Sequence, residues 1–403
     1  MEIIKFFYCF YWKFFKRAKN LFLRILNKIY LYCRVFRFMI LIKNGILIDS
    51  EIKGENDILI SDKIEEISDD IDTKYAKVID AENMFITPGF IDLHNHVNGA
   101  GGEGGPETRS IPIHADSLMK NGITTVVGLL GTDGYTRSLI DLLMHVRKLQ
   151  NQGISAYMLT GSYQVPGPSI TGRVANDIIL INEVVGVKIS LSDHRSSYPE
   201  RRDLITLASE ARVAGMLSSK PGFIMVHMGD GKDMFNPILD VVNNTEIPIT
   251  QFIPTHIDRN ESLLDSAIEF GKKNGYLDIT GHAEGKYPRT ISSIKYLISH
   301  GVSIDNITVT TDGNGSMPMF DENGNLLKIE ISDSSSLIKL FKYVMENDED
   351  FVQSYLKTVT LNPAKRLKLK KGKIEKGYDS DLLIFDQELN LIYVVSKGNV
   401  YKI

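Results

Sequence analysis

From residue 39 onward the chain alternates two textures of apolar and polar positions. Nearly unbroken hydrophobic runs recur at 85–94, 124–130, 156–161, 186–192, 222–228, 249–256, 277–280 and 307–312, as strands covered on both faces require. Between them, apolar residues repeat every three or four positions at 113–121, 138–151, 203–217, 235–243 and 262–274, which predicts amphipathic helices. Such strands alternating with helices predict an α/β fold, a TIM-type (β/α)8 barrel with its chemistry at the strand C-termini. An open doubly wound sheet is the competing arrangement, but no helix clearly starts at the glycine-rich loop 99–105, as the phosphate-binding turn of that fold requires.

Both flanks of this region have a different texture. Short β-rich runs at 40–42, 45–48, 57–60 and 77–79 are separated by turns such as Lys43-Asn-Gly45, and similar runs return at 372–374, 381–385, 391–395 and 399–400. The two ends are expected to join in one small antiparallel β-domain, a sandwich of residues 39–84 and 365–403, with the barrel spanning 85–364.

The first 38 residues stand apart. They carry nine Lys or Arg against one acid, Glu2, and hold the only Trp and both cysteines, Cys9 and Cys33. Taking this +8 from the whole-chain −4 leaves −12 for residues 39–403, which argues against nucleic acid as a partner. No uncharged run in this segment is long enough to span a bilayer. Three readings stand: a membrane-surface helix, a basic tail for an acidic partner, or codons upstream of a true start at Met39, which is the reading adopted. Cysteines confined to this segment leave no disulfide framework, in keeping with a reducing cytoplasm.

The chemistry begins at the end of the first run, where His94 and His96 stand two residues apart. Side chains at i and i+2 of a strand share a face, so both imidazoles can reach one metal ion. A chance pair on a solvated strand edge is the bland alternative. Seven residues on, Glu103 lies in a loop with Gly99, Gly101, Gly102, Gly104 and Gly105, a stretch with few side chains to obstruct a ligand. Other strand ends bring Lys188, His227, His256 and Asp312. Lys188, inside Val185-Gly-Val-Lys-Ile189, is unusual: a lysine in a buried strand must be neutral or paired. It is either an edge lysine that snorkels to water or an amine converted by carbon dioxide to a carbamate. In the second case it bridges two divalent cations, one held by His94, His96 and Asp312, the other by His227 and His256. Asp312, within Asp-Gly-Asn-Gly, also reads as a simple turn residue.

Gly89-Phe-Ile-Asp-Leu-His-Asn-His96, with Thr358-Val-Thr-Leu-Asn-Pro-Ala-Lys365 and Gly377-Tyr-Asp-Ser-Asp-Leu-Leu383, resembles the amidohydrolase superfamily. More narrowly, Gly101-Gly-Glu-Gly-Gly-Pro106, Met158-Leu-Thr-Gly-Ser-Tyr163, Ser192-Asp-His-Arg195, His227-Met-Gly-Asp230, Pro254-Thr-His-Ile-Asp-Arg-Asn260 and Thr311-Asp-Gly-Asn-Gly-Ser316 are similar to the isoaspartyl dipeptidase family across residues 39–403. The resemblance implies hydrolysis of the isopeptide bond of β-aspartyl dipeptides by a hydroxide shared between two metal ions, most often zinc, with a carbamate on Lys188. It implies that Asp312 accepts the proton of the attacking water and returns it to the leaving amine. It assigns Tyr163 to the carbonyl oxygen, Glu103 to the substrate ammonium, and Arg195 and Arg259 to its carboxylates. Thr132, Ser316 and the backbone at Gly101 and Gly102 complete the clamp. A cytoplasmic homo-oligomer is the form implied.

The rival readings are a dihydroorotase-like or hydantoinase-like enzyme acting on a cyclic amide or an N-acyl amino acid, and a barrel kept as a non-catalytic scaffold. The first does not call for Glu103, Arg195 and Arg259 together, and the second does not call for six metal ligands. His114, His145 and His300 fall on predicted helices or their ends and are expected in solvent; His194 is expected just outside the site. His282, past the seventh run, is either at the site mouth or inert.

Overall fold

The structure is a computed structural model that describes residues 39–281, 285–320 and 326–403. The basic segment 1–38 and His282 lie outside the described residues.

The chain opens with β1 (Met39–Ile48), β2 (Lys53–Ile60) and β3 (Ile64–Ser68), an antiparallel meander. β4 (Ala76–Asp80) and β5 (Phe85–Pro88) follow, and both run parallel to β1. The sheet is therefore mixed rather than the antiparallel one expected. Asn44, at φ 58°, interrupts β1, so its first half pairs with β4 and its second with β5.

The run at 85–94 is two strands. A Cβ on Gly89 would lie 2.2 Å from Thr124 Oγ1, and the Gly89 N–H donates to the Asp381 carbonyl at 2.8 Å. That close approach lets the chain pass from β5 in the first sheet to β6 (Phe90–Asn95) in a second. There β6, β7 (Ile123–Gly128), β8 (Ser155–Gly161), β9 (Val184–Leu191), β10 (Phe223–Met228) and β11 (Phe252–Thr255) pair parallel in chain order. Val127, Leu159, Met225 and Ile253 pack together on one face, while Val126, Met158, Val226 and Phe252 join the core shared with the helices. Covering on both faces is why these strands read as continuous apolar runs.

Next, β12 (Leu277–Thr280) and β13 (Ile307–Thr310) form a separate parallel pair. Among the described residues, each of its two seams with the six-stranded sheet is crossed by a single backbone hydrogen bond. The Ile257 N–H reaches the Asp278 carbonyl at 3.4 Å, and the His96 N–H reaches the Gly313 carbonyl at 2.8 Å. The ladder breaks here because the chain turns out of extended conformation at His256 (φ 63°) and Asp312 (φ 49°). A hairpin of β14 (Ser316–Phe320) and β15 (Leu326–Ile331) follows, and was not anticipated from the sequence.

Helices Ala115–Lys120, Leu139–Asn151, Arg201–Ser218, Asn236–Asn243 and Glu261–Lys272 occupy the expected stretches. Ser138 caps the second by accepting the Asp141 N–H. Helices Val174–Leu180, Tyr287–Ser299, Ser336–Asn347, Val352–Val359 and Leu361–Arg366 were not anticipated. Finally β16 (Leu382–Phe385), β17 (Leu391–Ser396) and β18 (Asn399–Lys402) return to the first sheet, with β16 antiparallel to β5. Residues from 39 to 88 and from 382 to 402 thus share one eight-stranded sheet, packed over Ile42, Leu47, Ile58, Ile86, Leu382 and Ile384. Among the described residues no helix is long and apolar enough to cross a membrane.

Candidate active site

The end of β6 delivers His94 and His96, and Asp312 arrives from the turn after β13. The Asp312 Oδ1 lies 3.3 Å from His94 Nε2 and 3.2 Å from His96 Nε2. Ligand atoms of these three all fall within 4.8 Å of one another, a spacing that could hold a metal ion. Gly131 makes room for His96, since a Cβ there would stand 2.9 Å from the ring. His96 Nδ1 is buried with no hydrogen-bond partner among the described residues. Two of the site residues, His256 and Asp312, hold positive φ, strain of order 1–3 kcal/mol each that the surrounding strands must impose.

Lys188, on β9, is fully buried, and its Nζ stands 3.2 Å from His94 Nε2. The His94 and His256 rings are 5.0 Å apart and those of His227 and His256 4.7 Å. All five side chains predicted at strand ends therefore meet Asp312 around one centre. Burial pushes the Lys188 amine from 10.5 down to about 7 and holds the His94, His227 and His256 imidazoles well below their usual value. Neutral amine and neutral imidazole are the forms that can take up carbon dioxide or bind a metal.

Neighbouring groups set the tautomers. Thr255 gives its hydroxyl hydrogen to Asp278 at 2.7 Å and meets His94 Nδ1 at 3.2 Å, so Nδ1 carries the proton and Nε2 the lone pair. Asp193 accepts from His227 Nε2 at 2.9 Å, which leaves the lone pair on Nδ1; the Tyr163 hydroxyl donates there at 2.6 Å. His256 Nδ1 is held by Thr280 Oγ1 at 2.6 Å. Burial opposes charge on Asp193, yet bonds from Arg195 and His227 prevail and keep its carboxyl well below the usual range. Burial raises the Tyr163 phenol, so it remains a hydrogen-bond donor.

Around the cluster is a cavity of about 60 Å³, lined by Glu103, Thr132, Tyr163, Arg195, Arg259 and Ser316 among others. Arg195 grips Asp193 with Nε and Nη2, at 2.9 and 2.8 Å, and its Nη1 faces Glu103 Oε1 at 3.7 Å. Ser316 donates to Glu103 Oε2 at 2.9 Å, and Arg259 Nε to the Met228 carbonyl at 3.1 Å. Gly101 and Gly102 are on the loop that carries Glu103, but the Gly102 N–H is held by Thr108 Oγ1 at 3.1 Å. A wider cavity of about 450 Å³ adjoins on the side of His256, Arg259, Asp312 and Ser316.

His114, His194 and His300 are exposed, but His145 is buried. It faces the core from helix Leu139–Asn151 and bonds the Ile113 carbonyl at 2.8 Å, which corrects the expectation of a solvated ring. Sequence reasoning assigned no role to Asp193, Asp278, Thr255 or Thr280. A signal existed for Asp278, since an acid inside the buried run Leu277-Asp-Ile-Thr280 is as anomalous as Lys188.

The amidohydrolase family model matches residues 255–401. The beta-aspartyl dipeptidase of the thermophilic, keratin-degrading Fervidobacterium islandicum AW-1, solved with a beta-Asp-Leu dipeptide, is 36% identical, with TM-score 0.86 over 91% of this chain and 96% of that one. A second structure of the enzyme gives 35% identity and TM-score 0.83. N-acetylglucosamine-6-phosphate deacetylase of Pasteurella multocida, at 15% identity and TM-score 0.62, shares the fold alone. Among curated relatives, the dihydroorotase of Staphylococcus epidermidis is 35% identical over 117 residues, 28% of this chain and 26% of that protein. The chain thus matches about a quarter of the length of these curated relatives. With 36% identity across almost the whole of both chains, this protein belongs to the beta-aspartyl dipeptidase family of the amidohydrolases and is a hydrolase of that type.

Proposed function

We propose that this protein hydrolyses the isopeptide bond of β-aspartyl dipeptides at a centre of two divalent ions. His94, His96 and Asp312 would hold one ion, His227 and His256 the other, and Lys188, as a carbamate, both. The donor set fits such a group: imidazoles of His94, His227 and His256 held neutral by burial, a lysine driven toward its neutral form, and a carboxylate within 3.3 Å of two ring nitrogens. Zinc suits these ligands, and cobalt, manganese or nickel could replace it. When bound, the ions would supply a water acidic enough to ionise near neutral pH and polarise the scissile carbonyl.

The side chains do the rest. Asp312 accepts a proton during attack and hands it to the departing amine, base and acid in turn. Tyr163 leaves His227 Nδ1 and donates to the carbonyl oxygen as negative charge grows there. Glu103 pairs with the α-ammonium of the β-aspartyl residue. Arg195, with Nε and Nη2 committed to Asp193, offers Nη1 to a substrate carboxylate; Arg259 offers its terminal nitrogens to the other. One observation carries the reading: a carboxylate and two guanidinium groups line the same small cavity as the metal-competent cluster, matching a substrate with one ammonium and two carboxylates.

β12 and β13 are read as closing β6 to β11 into a barrel of eight, with residues 85–364 as the catalytic unit and 39–84 with 365–403 as the sheet unit. A cytoplasmic homo-oligomer is the proposed form, measurable by light scattering after gel filtration.

The decisive assay is turnover of β-Asp-Leu beside α-Asp-Leu and dihydroorotate, with and without chelator. Cleavage of β-Asp-Leu alone, abolished by chelation, is expected. Equal cleavage of the two dipeptides, preference for the cyclic amide, or indifference to chelator would refute the proposal.

A further inference from the structure

Asp278 lies at the second position of β12 and is fully buried. Its carboxylate accepts three threonine hydroxyls. Thr308 Oγ1 reaches Oδ1 at 2.6 Å, and Thr255 and Thr310 Oγ1 both reach Oδ2 at 2.7 Å. Burial pushes the acid up to about 7 against these three bonds, so above that pH the ionised group is the one that takes all three hydroxyl hydrogens.

Thr255 ends β11 and has a single hydroxyl hydrogen. Because Asp278 takes it, Thr255 can present only a lone pair to His94 Nδ1, 3.2 Å away. His94 must then be protonated on Nδ1. Its Nε2 lone pair is left beside Lys188 Nζ at 3.2 Å and Asp312 Oδ1 at 3.3 Å. Remove the carboxylate, and the Thr255 hydrogen can turn toward His94 Nδ1. That reversal selects the other tautomer, with a proton on the nitrogen a metal would need.

We propose that Asp278, acting through Thr255, is a positioning residue that fixes the His94 tautomer for metal ligation. Thr308 supplies the internal control. It bonds the opposite oxygen of the same carboxylate and is not on the path to His94.

The inference rests on the metal-centre reading, and its test separates the two. Histidine nitrogen NMR of the metal-free protein at pH 8 should find His94 protonated on Nδ1 in the wild type and in Thr308→Val, and on Nε2 in Asp278→Asn and in Thr255→Val, where Nδ1 has lost its acceptor and Asp312 Oδ1 stands 3.3 Å from Nε2. Competition of apo protein with a chromophoric chelator for zinc should show binding weakened about 10–100-fold in Thr255→Val and Asp278→Asn. Thr255→Ser should restore it, and Thr308→Val should leave it near wild type. Thr255→Val keeps the test valid if Asp278→Asn fails to fold. Unchanged tautomer or unchanged zinc affinity in Thr255→Val overturns the inference, as does an equal loss in Thr308→Val. A wild type that binds no zinc overturns the metal-centre reading and this inference with it.

Discussion

Replacing Lys188 with Met tests the electrostatics of the centre separately from its chemistry. Lys188 is fully buried, and burial lowers its amine from 10.5 to about 7. The unfolded chain keeps the ordinary value, so between about pH 7 and 10.5 it binds more protons than the folded one, and stability rises with pH across that window. The penalty is complete below about pH 7, where the ammonium is buried, and vanishes above about pH 10.5. At about 1.4 kcal/mol per unit, the full shift corresponds to roughly 5 kcal/mol. Methionine keeps the length of the stem without the charge. Metal-free Lys188→Met protein in carbon-dioxide-free buffer should therefore be several kcal/mol more stable than wild type near neutral pH. By about pH 10 the advantage should have nearly disappeared. Urea unfolding of both proteins across that range measures it, and turnover of β-Asp-Leu should be lost in the variant. Superimposable unfolding curves at every pH would refute the account of a lysine held neutral by burial.

Two further substitutions probe groups around the centre. Asp193→Asn removes the carboxylate that orients His227 and braces Arg195; metal affinity and kcat/KM should both fall about 10–100-fold, and unchanged metal content would show that Asp193 does not orient the ligand. Tyr163→Phe removes the hydroxyl 2.6 Å from His227 Nδ1. It should lower kcat about 100–1000-fold with little change in KM, whereas a rise in KM alone would place the hydroxyl in ground-state binding.

Much of this site was legible because its local signals survive in one dimension. Lys188 stood out because an ammonium has no ordinary place in a buried strand, and His94 with His96 because alternate side chains on a strand share a face. Those signals follow from backbone periodicity and the cost of burying charge, neither of which needs the fold. Where the periodicity was local the elements also came out, as with helix Leu139–Asn151 and its Ser138 cap.

Tertiary structure alone decided the rest. Gly89 splits one apolar run between two sheets because Thr124 leaves no room for a Cβ, a contact no spacing rule contains. His145, read as solvated, is buried on the core side of its helix, where its ring meets the Ile113 carbonyl. The lone pairs of His94 and His227 are aimed by Thr255 and Asp193, residues far away in sequence. The amino-acid order by itself determined which chemical groups stand at the ends of strands, since that depends on local alternation and burial. Which of those groups meet, and which nitrogen each imidazole turns inward, depended on how the strand ends converge in space.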